Sequence, residues 1–228
     1  VTRQCLLIDA DDTLWENNVH FERAIDRFIT LVAHPRYSRE QVRGVLDGVE
    51  RAHVATRGYG CAAFALNLQD AFRELAGEAA TTAALEEVAA LASGIRETPL
   101  EVIAGVPETL EYLASRHQLV LFTKGEAEEQ SAKLERSGLK VFFSDARVVR
   151  EKDVAAYRQA ADQLQAPPGR TWMVGNSPRS DINPALGAGL KAVWVPHDST
   201  WRLEHEEIAQ DAGGLLVLSR FAELRGHF

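Results

Sequence analysis

Cysteine is scarce in this chain, with only Cys5 and Cys61 among 228 residues. Two thiols cannot staple a small secreted scaffold, and Cys5, set in an apolar run, reads as a small core residue. A reducing, cytoplasmic setting is therefore expected. No apolar stretch approaches the roughly 20 residues that a membrane-spanning helix needs, and no signal peptide is visible. Positive charge is also in deficit: 25 Lys and Arg against 33 Asp and Glu leave a net charge of −8. That balance argues against a non-specific nucleic-acid binder and gives no reason to expect adhesion to acidic membranes. It leaves room for a small phosphorylated substrate, because a local site can invert the global field. Repeats and low-complexity tracts are missing. The seven histidines show no metal-ligand spacing, and His197 and His205 are expected at the surface. What remains, 46% hydrophobic and 25% charged residues, describes an ordinary globule. Its length suits one large domain or a core with a smaller insertion.

The order of patterns favours the second arrangement. Cys5-Leu6-Leu7-Ile8 is a short apolar run of the kind that forms a buried parallel strand. Residues 18–97 are then helical throughout. Four apolar stripes recur there: Phe21, Ile25, Phe28 and Ile29; Val42, Val45, Leu46 and Val49; Phe64, Leu68, Phe72 and Leu75; Leu85, Val88, Ala89 and Leu91. Pro35, the Arg57-Gly58-Tyr59-Gly60 turn, Gly77 and Pro99 separate them. Beyond residue 100, strands at 119–122, 141–143, 171–174, 192–195 and 215–218 alternate with helices at 126–137 and 153–164. Such alternation predicts an α/β fold, a Rossmann-like parallel sheet flanked by helices. The sheet needs the first strand, so residues 1–16 and 98–228 are assigned to a core and 17–97 to an inserted helical domain.

In a parallel sheet the strand ends face one edge, and polar residues stand at four of them. The first strand ends on Asp9 and Asp11, where one carboxylate can attack and the other can move a proton. The second ends on Thr123, Lys124 and Gly125. Lys152 follows the third, and Gly175-Asn176-Ser177 through Asp181 the fourth. Attack by a carboxylate on a phosphate dianion requires charge neutralisation, which a lysine and a hard divalent cation supply. The Thr123 hydroxyl and the backbone amides near Lys124 and Gly125 could hold phosphoryl oxygens. Pro184 should lie in the first turn of a helix, placing Asp181 near its start. An EF-hand loop is excluded, since Leu14 stands where glycine is needed and His20 where a bidentate glutamate is needed.

These four segments, in this order, resemble the motifs of the haloacid dehalogenase superfamily, in the branch with a helical cap inserted after the first strand. Asp9-Ala10-Asp11-Asp12-Thr13 resembles its DxDxT signature, with Thr123, Lys152 and the 175–181 segment matching the later motifs. The resemblance implies that Asp9 attacks phosphorus to form an aspartyl-phosphate. Asp11 would protonate the leaving oxygen and then activate water. Mg2+ would be held by Asp9, the backbone carbonyl of Asp11, and Asn176 or Asp181. Many relatives carry aspartate where this chain has Asn176, which removes one negative charge. The cap is expected to choose the substrate, a small phosphorylated metabolite, with Trp15, Asn17, Arg51, Arg57 and Tyr59 as candidate contacts. The chain is expected to be a monomer or homodimer. Alternatives within the same superfamily are a dehalogenase, which does not need an acid at position 11, and a phosphomutase. A non-catalytic phosphate-ligand-binding relative is the alternative that Asn176 raises.

Overall fold

Every residue of β1 (Cys5–Ile8) is buried, and β1 lies inside the sheet with a parallel partner on each side. The computed structural model describes residues 2–32, 36–208 and 213–228. Six parallel strands are formed by β1, β2 (Gln118–Lys124), β3 (Asp145–Val149), β4 (Thr171–Gly175), β5 (Lys191–Trp194) and β6 (Leu215–Val217). Their order is β3-β2-β1-β4-β5-β6. Side chains alternate across the sheet, so each face has its own core. Leu6, Ile8, Leu119, Leu121, Val174 and Val193 pack with Val106, Leu110 and Leu113 of α5 (Val106–Ala114) and Leu134 of α6 (Ala127–Ser137). Cys5, Leu7, Val120, Phe122 and Met173 pack with Tyr157, Ala160 and Ala161 of α7 (Val154–Gln163). The expected α/β class is the class observed.

One strand is displaced from its expected place. Residues 141–143 are not a strand; Leu139–Phe142 forms a 3-10 turn, and Val141 is 82% exposed. Gly138, at φ 71°, caps α6 in the left-handed region, and the chain turns tightly before β3 begins at Asp145. Among the described residues strand β3 pairs only with β2, at the sheet edge, so it tolerates Asp145 and Arg147 and lacks a continuous apolar run. Pro184 does stand in the first turn of α8 (Asn183–Gly187), just after a π-helical turn, Pro178–Ile182.

By internal contacts the chain divides into two compact units, Val1–Glu16 with Leu100–Phe228, and Asn17–Pro99. The second contains α1 (Asn18–Val32), α2 (Arg39–Arg57), α3 (Cys61–Ala76) and α4 (Thr82–Glu97). Ile25, Phe28, Leu46, Phe64, Leu68 and Val88 form its core. A reciprocal cap starts α2: Ser38 Oγ accepts from the Gln41 amide at 3.2 Å, and Gln41 Oε1 accepts from the Ser38 amide at 2.8 Å. Gly58 and Gly60, at φ 73° and 95°, turn the chain from α2 into α3. The expected break at Pro35 lies outside the described residues. Among the described residues, no helix is long and apolar enough to cross a membrane. Cys5 and Cys61 are both buried and are not joined in a disulfide.

Candidate active site

Strand order reverses at β1. The chain runs outward through β2 and β3, then returns to the other side of β1 with β4. Such a switch point opens a crevice at the carboxyl ends of the two central strands. Asp9 stands there, its amide donating to the Val174 carbonyl at 2.9 Å. The next residues form a tight turn in which the Thr13 and Leu14 amides donate to the Ala10 carbonyl at 3.2 and 2.8 Å. Asp12 takes φ 59°, a left-handed conformation that Asp tolerates better than most side chains. The turn carries Thr13 Oγ1 to within 3.3 Å of both Asp9 Oδ2 and Asn176 Oδ1, so its one proton is shared by the ends of β1 and β4.

Lys152, 3% exposed, bridges Asp9 and Asp181; its ammonium bonds Asp9 and reaches Asp181 Oδ1 at 2.7 Å. Burial and then the Asp181 charge push the Asp9 carboxyl up to about 7, against the pull of Lys152. Burial disfavours the charged Lys152, but Asp181 and Asp9 outweigh it and hold the ammonium above its ordinary range. Asp181 also accepts from the Ser177 amide at 2.9 Å through Oδ2. Gly175 makes this arrangement possible, because a Cβ there would lie 2.2 Å from Asp181 Oδ2 and 2.4 Å from its Cγ. Gly175→Ala must therefore push the buried carboxyl off Lys152. The expected cost is about 1–3 kcal/mol, a drop of roughly 2–12 °C in the thermal midpoint. An unchanged midpoint would show that Asp181 moves aside freely.

The second acid, Asp11, has different surroundings. Oδ1 accepts from the Trp15 indole at 2.7 Å, Oδ2 from Gln130 Nε2 at 2.8 Å, and Lys133 Nζ lies 3.0 and 3.1 Å from the two oxygens. Burial raises this carboxyl, but the Lys133 charge with the Gln130, Trp15 and Lys133 hydrogen bonds holds it below the ordinary range. Two carboxyls two residues apart are thus driven in opposite directions, an arrangement suited to separate chemical roles.

Not every expected contact is free to meet a ligand. Trp15, a candidate substrate contact, is fully buried in the sheet core, where its indole serves Asp11. Lys124 is held by Glu204 and Ser180, both at 2.7 Å, and by Glu151 at 3.3 Å, since two acids attract its ammonium. The Gly125 amide is directed to the Val149 carbonyl at 3.3 Å, extending the β2–β3 ladder. Thr123 is buried at the end of β2, and its hydroxyl meets only the Lys124 carbonyl, at 3.5 Å, among its described contacts. In the helical unit, Arg57 bonds Asn67 at 2.8 Å and Asp70 at 2.5 Å. Asn176 donates to Thr200 at 3.0 Å and accepts from Thr13.

Sequence reading missed Gln130, Lys133 and Glu204. Glu204 Oε2 accepts from Ser177 at 2.5 Å while Oε1 holds Lys124. Burial opposes its charge, yet Lys124 and the serine hydroxyls keep its carboxyl below the ordinary range. The spacing of Gln130 and Lys133 by three residues on an otherwise polar helix was the one available signal. Asp12, Glu16 and His197 also place potential ligand atoms within 4.8 Å of one another. Hydrogen bonding accounts for the imidazole: Nδ1 accepts from the Ser199 amide at 3.2 Å, and Nε2 faces Glu16 at 3.3–3.4 Å. His197 is accordingly half-buried, whereas His205 is exposed as expected.

Known proteins share both the sequence pattern and the architecture. The family described as haloacid dehalogenase-like hydrolase matches residues 4–189. Human (Homo sapiens) N-acylneuraminate-9-phosphatase is 27% identical over 204 residues, which span 84% of this chain and 82% of that protein. The crystal structure of a haloacid dehalogenase-like family hydrolase from Xanthomonas campestris superposes with a TM-score of 0.84 at 28% identity, covering 99% of this chain and 94% of that one. The L-2-haloacid dehalogenase from Xanthobacter autotrophicus shares the fold at a TM-score of 0.63 and 14% identity, covering 99% of this chain and 98% of that one. Motif order, strand-end chemistry and these likenesses agree, and the chain belongs to the haloacid dehalogenase-like hydrolase family.

Proposed function

We propose that this hydrolase is a magnesium-dependent phosphatase of small phosphate monoesters that forms an aspartyl-phosphate on Asp9. The observation that carries this reading is the second acid. Displacement at carbon with loss of halide needs no proton donor, whereas departure of an alkoxide from phosphorus does, and Asp11 stands two residues after the nucleophile. The phosphatase name of the human relative, matched over most of its length, supports the same choice.

The Asp9 carboxylate attacks phosphorus, and the bond from phosphorus to the leaving oxygen breaks. Asp11 rests ionised among its donors; the negative charge of the bound substrate favours its taking up a proton from solvent, which it then gives to that oxygen. It then takes a proton from water, whose oxygen attacks phosphorus and frees phosphate and Asp9. Lys152 balances the charge of Asp9 and Asp181 throughout. Thr123 is the hydroxyl available at the strand edge for a phosphoryl oxygen, with Lys124 and Gly125 fixing the loop that carries it.

The donors fit a hard cation: Asp9 and Asp181 carboxylates, Asn176 Oδ1 joined to Asp9 through Thr13, and the Asp11 carbonyl, all oxygen. The Asp9 carboxyl, pushed up by burial beside Asp181, is relieved by a positive charge. Mg2+ bound there supplies neutralisation of the substrate dianion.

Phosphate release from p-nitrophenyl phosphate, with Mg2+ against EDTA, tests the reading. Release that depends on metal, with no chloride freed from 2-chloropropionate, is the expected result. Halide release without phosphate release would overturn it. Since Asp9 titrates near 7, protons compete with the cation below that pH. Half-saturating Mg2+ should rise about tenfold per pH unit on the acid side. A requirement that stays flat from pH 7 to 5 would remove Asp9 from the metal's ligands.

A further inference from the structure

Helix α6 directs two residues one turn apart, Gln130 and Lys133, at the same carboxylate. Neither residue is what packing alone would select there. Gln130 is 4% exposed, and while its Nε2 donates to Asp11, its Oε1 is buried without a hydrogen-bond partner. An apolar side chain would avoid leaving that acceptor unsatisfied. Lys133 keeps only 14% of its side chain exposed, spans both Asp11 oxygens, and lies 3.6 Å from Glu129. With the Trp15 indole, Asp11 meets donors on both oxygens and from three directions. The carboxyl is therefore fixed by a helix outside the four motifs, which gives an acid carried on a turn one orientation.

We propose that Lys133 and Gln130 are positioning residues: they set the place from which Asp11 serves the leaving oxygen. The inference rests on the phosphatase reading. Both side chains act through Asp11 by fixing where its carboxyl points, so their loss should let it turn from the leaving oxygen and weaken proton delivery, even though an Asp11 freed of the Lys133 charge protonates more easily, while Asp9 and Lys152 stay in place. A structural brace between α6 and the catalytic turn would behave differently, as would a phosphate-binding lysine. Each would slow every phosphate monoester alike.

The experiment compares kcat/KM on two aryl phosphates that differ in their need for a proton. The p-nitrophenolate of p-nitrophenyl phosphate departs readily, and the phenolate of phenyl phosphate does so with difficulty. Lys133→Met should lower kcat/KM on phenyl phosphate roughly tenfold more than on p-nitrophenyl phosphate. Lys133→Arg should restore the wild-type ratio, and Gln130→Leu should shift it in the same direction as Lys133→Met. Gln130→Leu also decides the matter if Lys133→Met does not fold. Equal losses on both substrates, or none, overturn the proposal while the phosphatase reading stands. A wild-type protein silent on both substrates overturns that reading and this proposal with it.

Discussion

Asp9→Asn is expected to lower turnover by about 10⁴-fold or more, the scale seen when a nucleophile's constellation is broken. An amide cannot form the acyl-phosphate bond, and no neighbouring group replaces it. Asp11 is held by Trp15, Gln130 and Lys133, and Asp181 by Lys152 and the Ser177 amide. The fold should survive. Asparagine matches aspartate in size, and the site loses a charge that burial and Asp181 already disfavour. Against that gain, Lys152 loses one of its two partners and keeps the other. A thermal midpoint within about 3 °C of wild type is the expected balance, equivalent to roughly 1 kcal/mol in a chain of this size. Phosphate release measured beside a thermal melt checks both halves. Turnover near the wild-type rate in folded Asp9→Asn protein would take the nucleophile's role away from Asp9.

The edge that carries the candidate site was legible because parallel strands leave little freedom in where their ends lie. Once the runs at 5–8, 119–122 and 171–174 are read as strands of one sheet, Asp9, Thr123 and the 175–181 segment must share an edge. Lys152 could be placed there by its position after the third strand, although that strand proved to be Asp145–Val149 rather than 141–143. An edge strand that is half exposed carries polar residues and leaves a weak apolar trace. The surroundings of Asp11 were not legible at all. Whether Gln130 and Lys133 face the first strand depends on how α6 rotates against the sheet, which packing of Leu134 decides and local periodicity does not. Glu204 sits in a short turn, Arg202–Glu204, 27 residues beyond Ser177, and no spacing rule connects them. Trp15, expected as a substrate contact, is buried in the sheet core with its indole on Asp11, a placement that local pattern does not reveal.

Lys152→Met is expected to be the most destabilising single change in the site. The substitution keeps an unbranched side chain, one heavy atom shorter, and deletes the charge between two buried carboxylates. Breaking a buried pair by removing one partner costs about 3–5 kcal/mol, or roughly 6–20 °C in the midpoint of a chain this size. The pH dependence separates this cause from a packing defect. With Lys152 present, the Asp9 carboxyl lies near 7 in the folded protein against 3.8 for the free group. Between those values the unfolded chain binds fewer protons than the folded one, so stability falls as pH rises. Wild type should level off above about 7, where Asp9 is ionised in both states. Without Lys152 the folded Asp9 rises further, so the variant should go on losing stability past that point. Melts in EDTA from pH 5 to 9 should therefore run roughly parallel below 7 and diverge above it. A deficit that stays constant across the whole range would mean that Lys152 fills space rather than holding Asp9 ionised, and the charge balance assigned to this site would have to be given up.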